Sequence, residues 1–447
     1  MFKKILIANR GEIAIRIIRA CQQLKIATVA VYSTADRQAL FVQLADEAVC
    51  IGPASAKNSY LNREAILMAG INTNADAIHP GYGFLSEDEL FAQMCEECGM
   101  TWIGPQASLI HDFSDKTNSR KIAKKLGLPI IPGTGMITSE PQLYDQANKL
   151  GYPVLLKASH GGGGKGIRMA SSAKDLFVKY ETVKEEAGSS FLDGSIYLER
   201  DFEAARHIEV QVLGMPEKLL ILGDRDCSLQ KHRQKVIEES NASILTQAER
   251  QHLYKLVHQL LDGANYQSLG TVEFLFVQHQ FYFLEMNTRL QVEHGITEET
   301  SGVDIVQAQI KVAAHESFEL PNLNFQGHAI ECRLNAENDM TAHLFETGKL
   351  TEFTMPTGIR VDTGLQSGDV LTPFYDRLLA KIIVHGTDRT MTVKKMQDAL
   401  AQIKVSGIGT NLKQLKQIIS SEQFIKDHYY IHSVGKMMEE STHESFA

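Results

Sequence analysis

The side chains best suited to chemistry stand in one run, from Gly270 to His294. It opens with two stretches rich in Val, Phe, Leu and Tyr on either side of Gln278-His279-Gln280, which reads as a β-hairpin. A three-residue loop would set Glu273 and Glu285 directly opposite each other on one face. A two-residue loop would set them on opposite faces. In the first register the two carboxylates have Cβ atoms about 5 Å apart among apolar neighbours. Such a pair is costly alone and favourable around divalent cations, so the three-residue loop predicts a metal site.

Past Glu285 the polar residues keep a period of two: Asn287, Arg289, Gln291 and Glu293 alternate with Met286, Thr288, Leu290 and Val292. A chain that stays extended would carry them on one face. A half-buried strand showing its polar side to water would look similar, but it would favour lysine, and this stretch has none. We therefore read Asn287 as able to complete a metal shell, Arg289 as a fork for a carbonate- or phosphate-like anion, and Glu293 as a proton acceptor.

The run from His160 to Gly166 holds four successive glycines and Lys165. It lacks the Gly-Lys-Ser/Thr of a P-loop and the helix that should follow a dinucleotide fingerprint. Its backbone N–H groups can approach phosphate, but the loop is too mobile for a fixed cradle, which suggests a lid; a plain linker is the alternative. Lys157 ends the apolar run Val154 to Leu156 and either meets an anion or snorkels to water. Arg225 to Lys235 carries five basic or potentially basic side chains, a local anion site or a solvated surface. His79 to Glu87 says only that a loop is structured, and His207, taken singly, reads as structural. Cys95 and Cys98 fall on one helix face without further metal ligands, and the six cysteines read as packing rather than a disulfide framework.

The elements that must position these groups alternate from the start. An apolar strand at Ile5 to Ala8 leads to a helix carrying Ile13, Ile17, Ile18 and Cys21, then to another strand at Thr28 to Tyr32. That alternation predicts a mostly parallel sheet with helices against it over residues 1–113. A second region, 114–326, holds the glycine run and the apolar strand pair; a third, 327–447, starts with a strand at His328 to Leu334 and has a helix at Met391 to Ile403. The polar tail from Met438 is expected to fray. At 447 residues the chain should form more than one compact unit. A net charge of -9 speaks against nucleic acid as a partner, and with no long apolar run or secretory signal the expected location is the cytoplasm, away from membrane.

Several segments taken together resemble the biotin carboxylases of the ATP-grasp superfamily: Ile7 to Ala14, His79 to Glu87, Lys157 to Ser159 with its glycine run, Arg206 to Gln211, Arg225 to Ser228, Glu285 to His294, and Glu331 to Glu337. They follow the family order over nearly the whole chain. The resemblance implies a mixed α/β and α+β, three-domain ATP-grasp architecture: a Rossmann-like N-terminal domain, a central domain with a mobile glycine-rich lid at about 131–203, and a C-terminal closing domain. It implies ATP held at phosphates or ribose by Lys116, Lys157, Gly163, Gly164 and His207, and at adenine by Glu199, Arg200 and Phe202, with Gln230, Arg233 and Ile431 nearby. Glu273, Glu285 and Asn287 match ligands for Mg2+ or Mn2+. Lys235, Arg289, Gln291, Val292 and Glu293 match the bicarbonate site, and Arg333 the biotin-side arginine. Of these, Arg289, Glu293, Lys235 and Arg333 would be catalytic.

The implied activity is ATP-dependent carboxylation of biotin through carboxyphosphate, the first half-reaction of acetyl-CoA or a related acyl-CoA carboxylase. The alternatives are another ATP-grasp carboxylate ligase, or the biotin carboxylase subunit of a carboxylase that does not act on acetyl-CoA. The chain shows no Met-Lys-Met biotin-attachment signature. A separate biotin carboxyl carrier protein and carboxyltransferase subunits are therefore the expected partners, and the resemblance implies a homodimer. Three positions depart from the family pattern: Arg233 stands where a histidine is usual, Gly295 where a proline is usual, and His343 to Gly348 lacks Pro-Ser-Pro-Gly.

Overall fold

The structure is a computed structural model and describes residues 1–158, 166–191, 195–320, 323, 325–337 and 346–444. Five strands, β1 (Lys4–Ile7), β2 (Ala27–Ser33), β3 (Glu47–Gly52), β4 (Ala77–His79) and β5 (Thr101–Trp102), form a parallel sheet in the order β3-β2-β1-β4-β5. Parallel strands covered on both faces need continuous apolar runs, and Ile5, Leu6 and Ile7 are fully buried. The strand order reverses between β1 and β4. In such sheets the crevice at the carboxyl ends of the strands lies at that switch point. There the loop after β4 begins, and it carries Glu87.

A second, antiparallel sheet is built from β6 (Gly133–Met136), β7 (Val154–Ala158), β8 (Ile167–Ala170) and β9 (Ile196–Arg200), in the order β6-β9-β7-β8. It has its own small core, with Leu143, Val154, Leu156, Leu176, Val183 and Leu198 buried together. Gly163 and Gly164 lie outside the described residues.

The largest sheet begins with β10 (Arg206–Met215), β11 (Lys218–Lys231), β12 (Gln234–Ser240), β13 (Ser268–Val277), β14 (Gln280–Asn287) and β15 (His328–Asn335). The chain continues through β16 (Gly348–Lys349), β17 (Glu352–Thr354), β18 (Arg360–Asp362), β19 (Val370–Leu371), β20 (Leu378–Gly386) and β21 (Lys404–Ser406). The eight-stranded order is β14-β13-β10-β11-β12-β15-β20-β18, so strands from the second and third sequence regions share one sheet, joined where β12 pairs with β15. β16 pairs with β19, and β17 with β21.

Three expectations need correction. The β13–β14 loop has two residues, not three: Val277 pairs with Gln280, and Gln278 and His279 both adopt positive φ, at 47° and 65°. That is the geometry of the tight hairpin whose twist matches the strands. Glu273 still faces Glu285, because Phe274 pairs with Phe283 and the register shifts there, leaving Leu284 without a partner. This β-bulge does what the loop was expected to do. Second, the extended chain stops at Asn287; a turn carries Arg289 to Glu293 into the helix His294–Ser301. Third, the tail is helical over Ser433–Glu444, where fraying from Met438 was expected. His343 lies outside the described residues, as do the other positions of its stretch up to residue 345.

Candidate active site

The two antiparallel sheets enclose a cavity of about 550 Å3. Lys116, Lys157, Glu199, Arg200, His207, Gln230, Arg233, Lys235, Glu273, Glu285, Asn287, Arg289, Gln291, Val292, Glu293, Arg333 and Ile431 all line it. Phe202 lies one layer behind, stacked on Tyr282 at 5.4 Å and packed against Ile131 and Leu275. Ile131, Leu155, Leu275, Leu284 and Ile431 give one end an apolar wall, suited to a flat base.

At that end Glu199 is almost fully buried and its carboxylate bridges Lys157 and Arg120. Burial pushes the Lys157 ammonium down, and Glu199 only partly restores it. The carboxylate of Glu199 thus orients the Lys157 ammonium at the cavity wall. Arg233 sits on the β11–β12 turn at φ 64° and has no hydrogen-bond or ion-pair partner among the described residues. It is free to meet an anion. Gln230 Nε2 bonds both His207 Nδ1 and the Cys227 carbonyl, at 2.9 Å each.

In the middle, Glu273 and Glu285 meet across β13 and β14. Asn287 Nδ2 donates to Glu273 Oε1 at 2.9 Å, Lys116 pairs with Glu285, and His207 Nε2 lies 3.0 Å from Glu273 Oε2. Burial alone would push the Glu273 carboxyl up; Lys235 and His207 hold it well below the usual range. Two carboxylates and an amide oxygen are hard donors that fit Mg2+ or Mn2+.

At the far end Lys235 Nζ donates to Glu209 Oε2 at 2.5 Å, to Glu293 Oε1 at 2.6 Å and to Glu273 Oε1 at 3.1 Å. Arg333 bonds Glu238 Oε1 through Nε at 2.5 Å and Glu293 Oε2 through Nη2 at 3.1 Å. Burial works against ionised Glu293, but Lys235, Arg333 and Arg225 overcome it and hold the carboxyl far below its ordinary value. Arg289 donates to Glu87 Oε2 and Asn287 Oδ1, at 2.8 and 2.7 Å. Lys381 Nζ donates to the Val292 carbonyl at 2.9 Å. At Gly295 an added Cβ would come within 2.6 Å of the Ile383 side chain, so the helix following Glu293 packs directly on β20.

Sequence reasoning passed over several of these groups. Arg225 is fully buried, not a solvated surface residue, and it donates to Glu209 at 2.5 Å, Gln291 at 2.5 Å, and Gln211 and Thr297 at 2.8 Å. Glu209 was recoverable: His207, Glu209 and Gln211 alternate in an otherwise apolar strand, the same signal that exposed Glu285. Glu87, Glu238 and the segment Tyr375 to Leu378, which closes the cavity, carry no comparable local signal.

A small antiparallel sheet facing a large one across a cavity of lysines and metal-competent carboxylates defines the ATP-grasp class of ligases. The comparisons make the assignment specific. Family models described as biotin carboxylase N-terminal domain, carbamoyl-phosphate synthase L chain ATP binding domain, and biotin carboxylase C-terminal domain match residues 1–110, 115–321 and 331–436. A pyruvate carboxylase subunit of Methanothermobacter thermautotrophicus is 44% identical over 98% of this chain and 90% of its own length. Biotin carboxylase 1 of Bacillus subtilis is 42% identical over 96% of this chain and 97% of its own. The biotin carboxylase domain dimer of Hydrogenobacter thermophilus 2-oxoglutarate carboxylase, solved with MgADP, ADP and bicarbonate, superposes with a TM-score of 0.94 at 41% identity, covering 99% of this chain and 98% of that one. This chain belongs to the biotin carboxylase family, and it is an ATP-dependent ligase.

Proposed function

We propose that the chain transfers the carbon of bicarbonate to biotin on a separate carrier protein, using ATP through carboxyphosphate. The observation that carries this reading is Glu293, ionised and bonded to Lys235 and Arg333, in one cavity with Arg289 and the pair Glu273 and Glu285. ATP lies with its base on the apolar wall and its phosphates toward Lys116, Lys157 and Arg233. Glu273, Glu285 and Asn287 hold Mg2+ or Mn2+, which neutralises phosphate charge when bound. Arg289, Lys235, Gln291 and the Val292 backbone hold bicarbonate. Drawing Lys235 onto that anion weakens its hold on Glu293 and makes that carboxylate a better proton acceptor. The bicarbonate oxygen then attacks the γ-phosphorus, the bond to the β–γ bridging oxygen breaks and ADP leaves; the carboxyphosphate so formed breaks into CO2 and phosphate. The released phosphate takes the ureido N–H proton of biotin, and Arg333, with Arg289, steadies the charge on the ureido oxygen while the nitrogen attacks CO2.

The proposed division is residues 1–113, 114–326 with a closing lid at 131–203, and 327–447. No helix among the described residues is long and apolar enough to cross a membrane, in keeping with the cytoplasmic location proposed here. A homodimer is proposed in line with the dimeric Hydrogenobacter domain. Downstream, separate carboxyltransferase subunits pass the carbon to an acyl-CoA, with acetyl-CoA first; the pyruvate and 2-oxoglutarate carboxylase relatives favour a 2-oxo acid as the second reading. The test is bicarbonate-dependent ADP release with and without free biotin. Turnover that is bicarbonate-dependent and stimulated by biotin supports the reading; ADP release indifferent to both overturns it.

A further inference from the structure

Behind Arg333 lies a feature that the proposed chemistry does not use. Glu238 on β12 and Glu331 on β15 are cross-strand partners, which places their side chains on one face with Cβ atoms about 5 Å apart. Both residues are fully buried. Glu238 Oε1 accepts from Arg333, but Glu238 Oε2 and both oxygens of Glu331 have no hydrogen-bond partner. Three orphaned carboxylate oxygens side by side in a dry layer would be a severe penalty if both groups were ionised.

The charged groups facing the pair come from every element around it. Arg333 comes from β15, Lys381 from β20, Lys235 from β12, and Glu293 from the residue before the helix His294–Ser301. Lys381 is already shared by Glu12 and Asp362, at 3.1 and 3.5 Å, and Lys235 by three other carboxylates. Among the described residues only Arg333 hydrogen-bonds the pair, and it does so through Glu238. A single proton relieves the conflict: as a neutral acid, one carboxyl donates to the spare oxygen of the other, a short charge-assisted bond that satisfies both.

We propose that Glu331 is a protonated carboxylic acid hydrogen-bonded to Glu238, and that this acid pair is a positioning device that fixes the Arg333 guanidinium at the biotin end of the cavity. Burial and the neighbouring Glu238 both push the Glu331 carboxyl well above its ordinary value, in keeping with this assignment. By sharing its charge with the proton, Glu238 holds Arg333 in place without fully neutralising it, which leaves positive potential for the ureido oxygen. Glu293 also accepts from Arg333, at 3.1 Å, but its shorter bond is to Lys235, at 2.6 Å, and Lys235 makes no hydrogen bond to the acid pair. The inference rests on the proposed biotin carboxylation only for the identity of the ligand that Arg333 meets.

Two measurements test it. Infrared difference spectroscopy of the wild-type chain at neutral pH should show a protonated carboxyl band that is lost in Glu331→Gln; no such band overturns the proposal whatever the substrate. In steady-state assays Glu331→Leu should raise KM for free biotin roughly tenfold, with bicarbonate-dependent ADP release in the absence of biotin changed less than twofold. Glu331→Gln, neutral and still a donor, should restore the biotin KM to within about twofold. A glutamine variant as impaired as the leucine variant, or equal losses in both assays, overturns the positioning role. Failure of wild-type biotin carboxylation would sink the functional reading instead and leave the infrared result standing.

Discussion

Arg289 Nε donates to Glu87 Oε2 at 2.8 Å, so the guanidinium proposed to hold bicarbonate is braced by a residue from the other end of the sequence. The N-terminal sheet thereby reaches into the catalytic cavity, through the loop that begins at its topological switch point. Hydrogen bonds to a charged partner contribute roughly 1.5–3 kcal/mol, enough to fix one rotamer of a long side chain. Glu87→Gln should therefore raise KM for bicarbonate roughly tenfold with a smaller fall in kcat. Steady-state ADP release against bicarbonate concentration checks it; an unchanged KM would mean that Arg289 is held by Asn287 alone.

Glu293→Gln keeps the shape and one of the two accepted hydrogen bonds, from Lys235 or Arg333, but cannot take a proton. Bicarbonate-dependent ADP release should fall by about 10^2–10^4-fold while ATP still protects the chain against thermal unfolding. Activity within a few fold of wild type would remove Glu293 from the role of base.

The β-bulge offers a sharper test of the metal site. Deleting Leu284 would give a regular hairpin behind the same two-residue turn, with Glu285 directly after Phe283 and still opposite Glu273. That variant should keep Mg2+-dependent ATP binding by calorimetry to within a few fold, whereas Glu285→Ala should lose it while circular dichroism reports an intact fold. Undiminished Mg2+ dependence in Glu285→Ala would place the cation elsewhere.

Glu238 supplies a pH signature. Burial pushes its carboxyl up, Arg333 pulls it back in part and Glu293 adds to the rise, to about 7. Above that pH it is ionised and grips Arg333; below it the grip loosens. Biotin carboxylation should decline as pH drops through about 7, and in Glu238→Gln this limb should vanish with activity low throughout. A pH profile in which the variant keeps the wild-type limb would assign it to another group.

Glu239 gives the opposite sign, in stability. Burial raises its carboxyl, but His328, Arg389 and their hydrogen bonds outweigh that and hold it at about 2. A lowered folded-state value stabilises above the unfolded value of 4.5 and the contribution disappears as pH falls through about 2. Roughly 3 kcal/mol is at stake, and Glu239→Gln should flatten the acid side of the curve of Tm against pH. An unaltered acid limb would contradict the assignment.

Much of this site was legible in the sequence because polar residues alternating inside apolar strands are conspicuous: Glu285, Asn287 and the run to Glu293 were found that way. The reasons were partly wrong. Gln278-His279 lacks the Asn-Gly signature of a tight turn, and a bulge at Leu284 is a property of packing, which local composition does not record. The assumed extension past Asn287 gave the right gathering of side chains through the wrong backbone. Arg225 read equally as surface or anion site, since burial of a guanidinium is decided by strands distant in sequence. Glu87 and Glu331 matter only through partners brought close by the tertiary fold.

The seam between β12 and β15 also decides which parts of the molecule can breathe. Lys235 and Arg333 ride on strands stitched together from Ile237 and Cys332 to Glu239 and Ile330, so these two cations keep their spacing from one turnover to the next. The sheet β6-β9-β7-β8 has no strand in common with its larger neighbour, so on the proposed lid reading admission of nucleotide and expulsion of spent product fall to it. A crosslink that froze that smaller body would stall exchange at the nucleotide end while leaving the anion-handling end in working order.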